Sequence, residues 1–365
     1  MRSVSMETLN TSYSKEGYEI YIDENIDGFY TLLNKHKIEI KNKIFLITDD
    51  VIYNIYKNLI DELQSKTECK VYYFAHGENN KNINTVQSIY DFLIENNANR
   101  SSTLIALGGG VVGDLVGFVA STYMRGIKFV NIPTTLLSQV DSCIGGKVGY
   151  DYNGIKNVIG NFYNPVFVYI CTRFLKTLEE RQFKDGLGEV VKYGMIKDIQ
   201  LFDFINENYK YILEKKNDKL FYIVKKCLNI KAEIVEKDFN DSNLRNILNF
   251  GHTVGHGIEV SSNFTISHGE AVALGMLVAV KLSEKKLSLN NEIYVKLEAL
   301  LEKLELPIRY KVDNYSTFLY AINHDKKNTD KIRFVLLEDI SKCKIKVEVA
   351  AEEIYSAVEE SISRG

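Results

Sequence analysis

The chain is poor in the features that tie proteins to membranes, cell surfaces or nucleic acid. Its five cysteines (Cys69, Cys143, Cys171, Cys227, Cys343) are scattered and none forms a CxxC pair, which argues against a disulfide framework or a thiolate metal site and fits a reducing cytosol. No apolar run reaches the roughly 18 residues that a membrane span needs. The N-terminus, Met1-Arg-Ser-Val-Ser-Met-Glu-Thr-Leu9, has no basic stretch leading into an apolar core, so neither secretion nor insertion is expected. An excess of one charge sign is missing too: the net charge of -3 argues against nucleic acid or an anionic membrane as partner and makes any basic site a local one. Prolines number three, which, beside many Asn, Lys, Ile and Tyr, reads as codon bias rather than function. Repeats, low-complexity tracts and long like-charge runs are lacking. What remains is a cytoplasmic globular chain of 365 residues, long enough for two cores.

The two halves have different rhythms. In the first, β-branched runs (Lys43 to Thr48, Lys70 to Phe74, Thr103 to Leu107, and Lys128 to Ile132 ending at Pro133) alternate with helical spacing over Val51 to Leu63 and Asn84 to Asn96. That alternation predicts a parallel sheet covered by helices. From about Leu178 the apolar period is helical almost throughout, until Ile332 to Leu337 and Lys344 to Val349 suggest a strand pair before a last helix. The expected organisation is a nucleotide-binding α/β domain over 1–177 and a mainly α-helical, metal-binding domain over 178–365.

A turn rich in glycine, Leu107-Gly-Gly-Gly-Val-Val-Gly-Asp114, follows the third of these strands and opens a helix. Glycine lets backbone amides approach a pyrophosphate, and the helix start supplies aligned N–H donors, so the mechanism of a Rossmann-like dinucleotide site is present. The spacing departs from G-x-G-x-x-G, and a tight strand-to-helix turn explains it as well. Asp114 beside such a loop needs a ribose hydroxyl or a positive group. After Pro133, a polar run carries the isolated charges Asp141, Lys147 and Lys156. A solvated loop is the plain reading; against it, isolated charges near buried chain need partners.

Three of the six histidines fall close together, in Asn249-Phe-Gly-His252-Thr-Val-Gly-His256 and Ser267-His268-Gly-Glu270. His252 and His256 share a helix face, and His268 can return to it. Glu189 in Gly186-Leu-Gly-Glu189-Val-Val-Lys192, read as a helix start, offers a carboxylate, and such N/O donors suit a zinc site with an open position. Spacing does not say which two histidines bind.

Taken in order, these segments resemble the 3-dehydroquinate synthases among the sugar phosphate cyclases, as do Gly77-Glu78-Asn-Asn-Lys81, Tyr123-Met-Arg125-Gly126, Pro133-Thr-Thr135, Asp141-Ser-Cys-Ile-Gly-Gly-Lys147, Gly154-Ile-Lys156-Asn157 and Leu244-Arg245. The resemblance implies NAD and Zn2+ (or Co2+) as cofactors, a sugar phosphate substrate and a homodimer. It implies Glu189, His252 and His268 as metal ligands. The NAD set would be Asp49, Glu78, Lys81, Gly109, Gly110, Asp114, Thr134, Thr135, Asp141, Lys147, Lys156 and Thr177. The substrate and catalytic set would be Lys147, Asn157, His256, Arg125, Lys192, Lys231, Arg245, Asn249 and one of Lys326 and Lys327, with Arg125 reaching a neighbouring subunit. The activity implied is oxidation, phosphate elimination, reduction and aldol closure of 3-deoxy-D-arabino-heptulosonate 7-phosphate. The segment Asp238 to Asn243 departs from the glycine-containing pattern of the family, so the loop before Arg245 is expected to differ.

Overall fold

A computed structural model describes residues 6–11, 17–41, 43–239, 241, 243–324 and 332–363. The chain divides into two compact units, Met1–Leu178 and Glu179–Gly365.

The first unit runs β1 (Glu7–Asn10), β2 (Glu19–Asp23), α1 (Phe29–Lys35), β3 (Ile44–Asp49), α2 (Asp50–Ile55), α3 (Lys57–Thr67), β4 (Lys70–Phe74), α4 (Ile83–Glu95), β5 (Thr103–Gly108), α5 (Gly110–Thr122), β6 (Lys128–Pro133), β7 (Lys147–Tyr152), β8 (Ile155–Phe162) and β9 (Phe167–Cys171). Seven of the strands form one sheet in the order β1-β2-β9-β6-β5-β3-β4. All its pairings are parallel except β1 with β2. The period-2 alternation of the strands explains the two cores. Ile44 and Leu46 face Leu32, Leu33, Ile60 and Leu63 of α1 and α3, whereas Phe45 and Ile47 face the α4 and α5 side with Val86, Ile89, Leu115 and Val116. Strands buried on both faces read as continuous apolar runs, which is what made them visible in sequence.

Three local expectations change. The helix expected over Val51 to Leu63 is broken at Tyr56 (φ -109, ψ 26) into α2 and α3. The polar run after Pro133 is not simply a loop, because it contains the antiparallel hairpin β7–β8. Strand β8 is almost wholly exposed and β7 buries only Gly149 and Tyr150, with mixed composition in both, so neither alternation nor an apolar run marks them. The strands β1, β2 and β9, which widen the sheet, were not foreseen.

The second unit runs α6 (Glu180–Lys197), α7 (Ile199–Leu213), α8 (Asn217–Lys237), α9 (His252–Ser261), α10 (His268–Leu287), α11 (Glu292–Lys303), α12 (Tyr315–His324), β10 (Ile332–Asp339), β11 (Lys342–Val349) and α13 (Ala351–Ser361). Helix α10 is its axis: Ala271 through Val280 are all buried, and α6, α9, α11, α13 and β10 pack round it. A helix apolar on every side belongs in a core. No helix among the described residues is long and apolar enough to cross a membrane.

Candidate active site

In the first unit the residues expected to hold a nucleotide lie at the carboxyl ends of the parallel strands. From β3 the chain places β4 on one side and β5 on the other, so the order reverses between β3 and β5. Open α/β sheets bind ligands in the crevice at such a point. Asp49 ends β3, Gly108 ends β5, and Thr134 follows β6 with its N–H bonded to Gly108 O at 2.9 Å. Gly109 caps α5 without any side-chain hydrogen bond. A Cβ on Gly109 would stand 3.1 Å from Thr135 Cγ2, and one on Gly110 would stand 3.3 Å from Ser142 Oγ. Bare backbone at the α5 start is therefore packed closely by the Thr134–Ser142 segment, where a methyl would crowd it, and the uncapped helix N–H groups there are of the kind that bind a pyrophosphate.

Asp114 meets the positive group it needed. Lys81, 4% exposed, donates to Asp114 Oδ2 at 2.7 Å and to Asn157 Oδ1, with Glu78 Oε1 at 4.0 Å. Burial works against the charge on Lys81, but Asp114 and Glu78 outweigh it and hold the ammonium above its ordinary range. Lys81 thus ties α5 to the exposed hairpin β7–β8, where Asn157 sits at φ 53 and its N–H donates to Asp151 Oδ1 at 2.7 Å. Lys147 and Lys156 are exposed on that hairpin, and Asp141 is half-buried in the turn before it. The half-buried Asp49 caps α2 by accepting from Ile52 N at 2.8 Å, and burial pushes its carboxyl above the usual range. Thr177 is exposed and hydrogen-bonded to the Tyr56 hydroxyl.

In the second unit three remote segments converge. Glu189 lies in the interior of α6, not at a helix start; the glycines of its motif signal close packing rather than a terminus. His252 opens α9 and His268 opens α10. Glu189 Oε1 is 3.3 Å from His252 Nε2 and 3.5 Å from His268 Nε2, and one donor atom from each of the three lies within 4.8 Å of the others. Both histidines turn Nε2 toward the carboxylate, while their Nδ1 atoms meet other acceptors: Phe250 O at 3.2 Å for His252 and Glu259 Oε2 at 3.4 Å for His268. Metal-binding imidazoles are held this way, with the far nitrogen bonded to a carbonyl or carboxylate. The set therefore fits a divalent cation.

Glycine makes the approach possible. A Cβ on Gly269 would lie 1.7 Å from Asp185 O, and one on Gly188 would lie 2.4 Å from Gly269 O, so α10 starts in backbone contact with α6. Asp185 Oδ1 also accepts from Gly269 N at 2.5 Å. The two rings respond to their surroundings in opposite directions. His252 is pushed down to about 3 by burial, with Lys192 adding to the shift. For His268 burial acts in the same downward sense, but hydrogen bonds to Glu189 and Glu259 overcome it and push the ring up to about 10.

Lys192 is buried with Nζ directly on the Glu189 carboxylate. Lys231 on α8 and Arg245 are two further buried cations. Arg245 lies in a short 3-10 segment, Leu244–Asn249, that packs against α6 and α8. The divergent loop before it is organised by Asp238, whose Oδ2 accepts from Asn243 N at 2.7 Å and Arg245 N at 2.9 Å. Asp241 takes the left-handed backbone (φ 56). His256 is half-buried beside His252, ring centroids 5.7 Å apart, and Asn249 is half-buried. Arg125 is exposed at a corner where Met124 and Arg125 both have positive φ (52 and 70). Lys326 and Lys327 lie outside the described residues. Sequence reasoning missed Glu259, although it follows His252 by seven residues and His256 by three and so shares their stripe.

Models of the 3-dehydroquinate synthase N-terminal and C-terminal regions match residues 71–185 and 186–328. The chain belongs to the 3-dehydroquinate synthase family. The enzyme of that name from Clostridium tetani is 60% identical over 346 residues, 95% of this chain and 93% of the relative. Among solved structures, a 2-deoxy-scyllo-inosose synthase complexed with carbaglucose-6-phosphate, NAD+ and Co2+ superimposes with a TM-score of 0.85 at 23% identity, covering 98% of this chain and 100% of that one. A 2-epi-5-epi-valiolone synthase from Streptomyces hygroscopicus subsp. jinggangensis 5008, with NAD+ and Zn2+ bound, gives 0.86 at 22% identity over 96% and 98%. At such identities these two share the fold of the family member described here.

Proposed function

We propose that this chain is a phosphate-eliminating cyclase that converts 3-deoxy-D-arabino-heptulosonate 7-phosphate to 3-dehydroquinate and phosphate, the step its family performs in aromatic amino acid biosynthesis. The observation that carries the site assignment is the convergence of Glu189, His252 and His268, each histidine with Nδ1 anchored and Nε2 turned inward. When bound, NAD supplies a hydride acceptor that is regenerated within the turnover, and Zn2+ or Co2+ held by Glu189, His252 and His268 supplies Lewis acidity toward substrate hydroxyls.

The chain's own residues do the rest. The substrate is anionic at both ends, and local cations rather than net charge decide its binding: Lys231 and Arg245 suit its carboxylate, Arg125 and Lys192 its phosphate. Burial makes the charges of Lys192, Lys231 and Arg245 more effective than solvated ones. His256 holds the relayed proton. Asn157 turns its carbonyl oxygen to Lys81, which directs its amide N–H groups elsewhere, and with Lys147 it stabilises developing oxyanions. Asn249 and the lysine of the 326–327 pair complete the substrate set. On the nucleotide side the proposed NAD set is Asp49, Glu78, Gly109, Gly110, Thr134, Thr135, Asp141, Lys156 and Thr177, with Lys81 and Asp114 tied to each other beside it.

Homodimerisation belongs to the same proposal. Arg125 projects from an exposed corner, and Tyr152, Ile155, Val158 and Phe162 leave the β7–β8 hairpin with large apolar groups in solvent, a surface suited to a second copy. Five free cysteines fit the cytoplasm as its compartment.

The test is release of phosphate and 3-dehydroquinate with catalytic NAD, with and without a chelator. Turnover beyond the NAD supplied, lost on chelation and restored by zinc or cobalt, is expected. Stoichiometric NADH without phosphate release would replace the cyclase by a simple polyol dehydrogenase.

A further inference from the structure

Glu259 is in none of the ligand, cofactor or substrate sets above, yet its carboxylate is almost solvent-free, at 4% exposure. It sits on α9 one turn beyond His256 and two beyond His252, so all three project along one stripe of the helix. Its Oε2 lies 3.4 Å from His268 Nδ1, while the opposite ring nitrogen of His268, Nε2, lies 3.5 Å from Glu189 Oε1. The two nitrogens of an imidazole take distinct roles, set by what each one meets. A proton on Nδ1 donated to Glu259 leaves the Nε2 lone pair directed toward Glu189 and His252, and the ring cannot turn without abandoning a buried carboxylate. His252 is served differently, since its Nδ1 acceptor is the Phe250 carbonyl, which no side-chain replacement removes.

We propose that Glu259 is the positioning residue of the metal centre: it fixes the His268 tautomer and aims Nε2 at the cation. This rests on the assignment of Glu189, His252 and His268 as ligands. The carboxylate also adds a buried negative charge next to the cation, so orientation and charge act in the same direction. One other arrangement uses the same atoms, because donor atoms of His256, Glu259 and His268 also lie within 4.8 Å of one another; there Glu259 would itself ligate a second ion.

The experiment compares wild type, Glu259→Gln, Glu259→Ala and His268→Ala as purified full-length proteins. Zinc affinity is read by competition with a chromophoric chelator, ligand geometry by the visible bands of the cobalt-loaded proteins, and NAD affinity by titration. Glu259→Ala is expected to lose about 10- to 100-fold in zinc affinity and to shift the cobalt bands, with NAD affinity unchanged. Glu259→Gln, whose amide oxygen still accepts from Nδ1–H, is expected to keep the wild-type cobalt bands while losing part of the affinity; it carries the test should the alanine variant fail to fold. Wild-type zinc affinity and cobalt bands in a folded Glu259→Ala, or in Glu259→Gln an affinity undiminished, would overturn the proposal. So would a second equivalent of zinc on the wild type that Glu259→Gln alone abolishes, since the carboxylate would then be a ligand. If His268→Ala binds zinc as tightly as wild type, the ligand assignment itself falls, a different result from failure of the positioning role.

Discussion

Helices α5 and α10 both begin at glycine-bearing motifs that carry chemistry, and they use their glycines in opposite ways. At α5 the glycines keep the helix start bare: it has no side-chain cap, and methyls on Gly109 and Gly110 would crowd only the side chains of Thr135 and Ser142. At α10 the start is closed by protein. Glu270 Oε2 accepts from Ser267 N at 2.8 Å, Asp185 Oδ1 accepts from Gly269 N, and Gly269 lies in backbone contact with α6. An open terminus offers donors and partial positive charge to an anion that comes and goes. A filled terminus becomes a fixed mounting, and the histidine at its first turn acquires a precise place relative to Glu189. Glycine in a motif therefore marks either ligand approach or helix approach, and only packing distinguishes them.

Gly269→Ala puts the comparison at greatest risk. Its methyl overlaps backbone that cannot yield, so α10 must shift from α6, with loss of zinc and a destabilisation on the order of 4 kcal/mol or more, read by denaturant unfolding and metal analysis. Gly109→Ala is expected to keep the fold within about 1 kcal/mol while weakening NAD; equal destabilisation in the two variants would break the contrast. His268→Ala should abolish zinc binding and turnover but leave the circular dichroism spectrum unchanged, because a catalytic ion orders a site more than it holds a domain; global unfolding would contradict this.

A smaller effect concerns the ties around the open terminus. Lys81→Met removes the buried ammonium that joins Asp114 to Asn157 and should cost roughly 1–3 kcal/mol and raise the KM for NAD. Removing both charges, in Lys81→Met with Asp114→Asn, should recover part of the stability but not the nucleotide affinity.

The mildest expectation concerns pH. Burial raises Asp49 above its ordinary 3.8, so the fold holds this proton to higher pH than the unfolded chain does. The resulting contribution to stability is greatest below the unfolded value and is lost as pH rises through the folded one. In its proposed role as an acceptor for NAD, Asp49 acts in the ionised form, so NAD affinity should fall on acidification at a pH above the usual carboxylate range. Asp49→Asn should remove that dependence, and an unaltered profile would take Asp49 out of the site.

Much of this was legible residue by residue. Continuous apolar runs announced β3, β5 and β6 because strands covered on both faces carry no alternation to misread, and β4, at the sheet edge and partly exposed, was marked by its β-branched and aromatic residues. The exposed hairpin β7–β8 escaped notice for the converse reason, and the break at Tyr56 carries no glycine or proline to signal it. Among site residues, the pairing of His252 with His256 follows from helix geometry. The Lys81–Asp114 tie does not, because it joins a 3-10 turn after β4 to α5 through a contact that no local spacing encodes.

By itself the sequence determined which donors exist, that His252, His256 and Glu259 share a helical stripe, and where backbone can be approached closely. Tertiary structure decided that Glu189 and His268 join them and that Glu259 stands behind His268. The reason is one of range: a helix sets directions over a few turns through its own period, whereas bringing α6, α9 and α10 to a common point depends on close contacts such as Gly188 with Gly269, which only the packed chain contains.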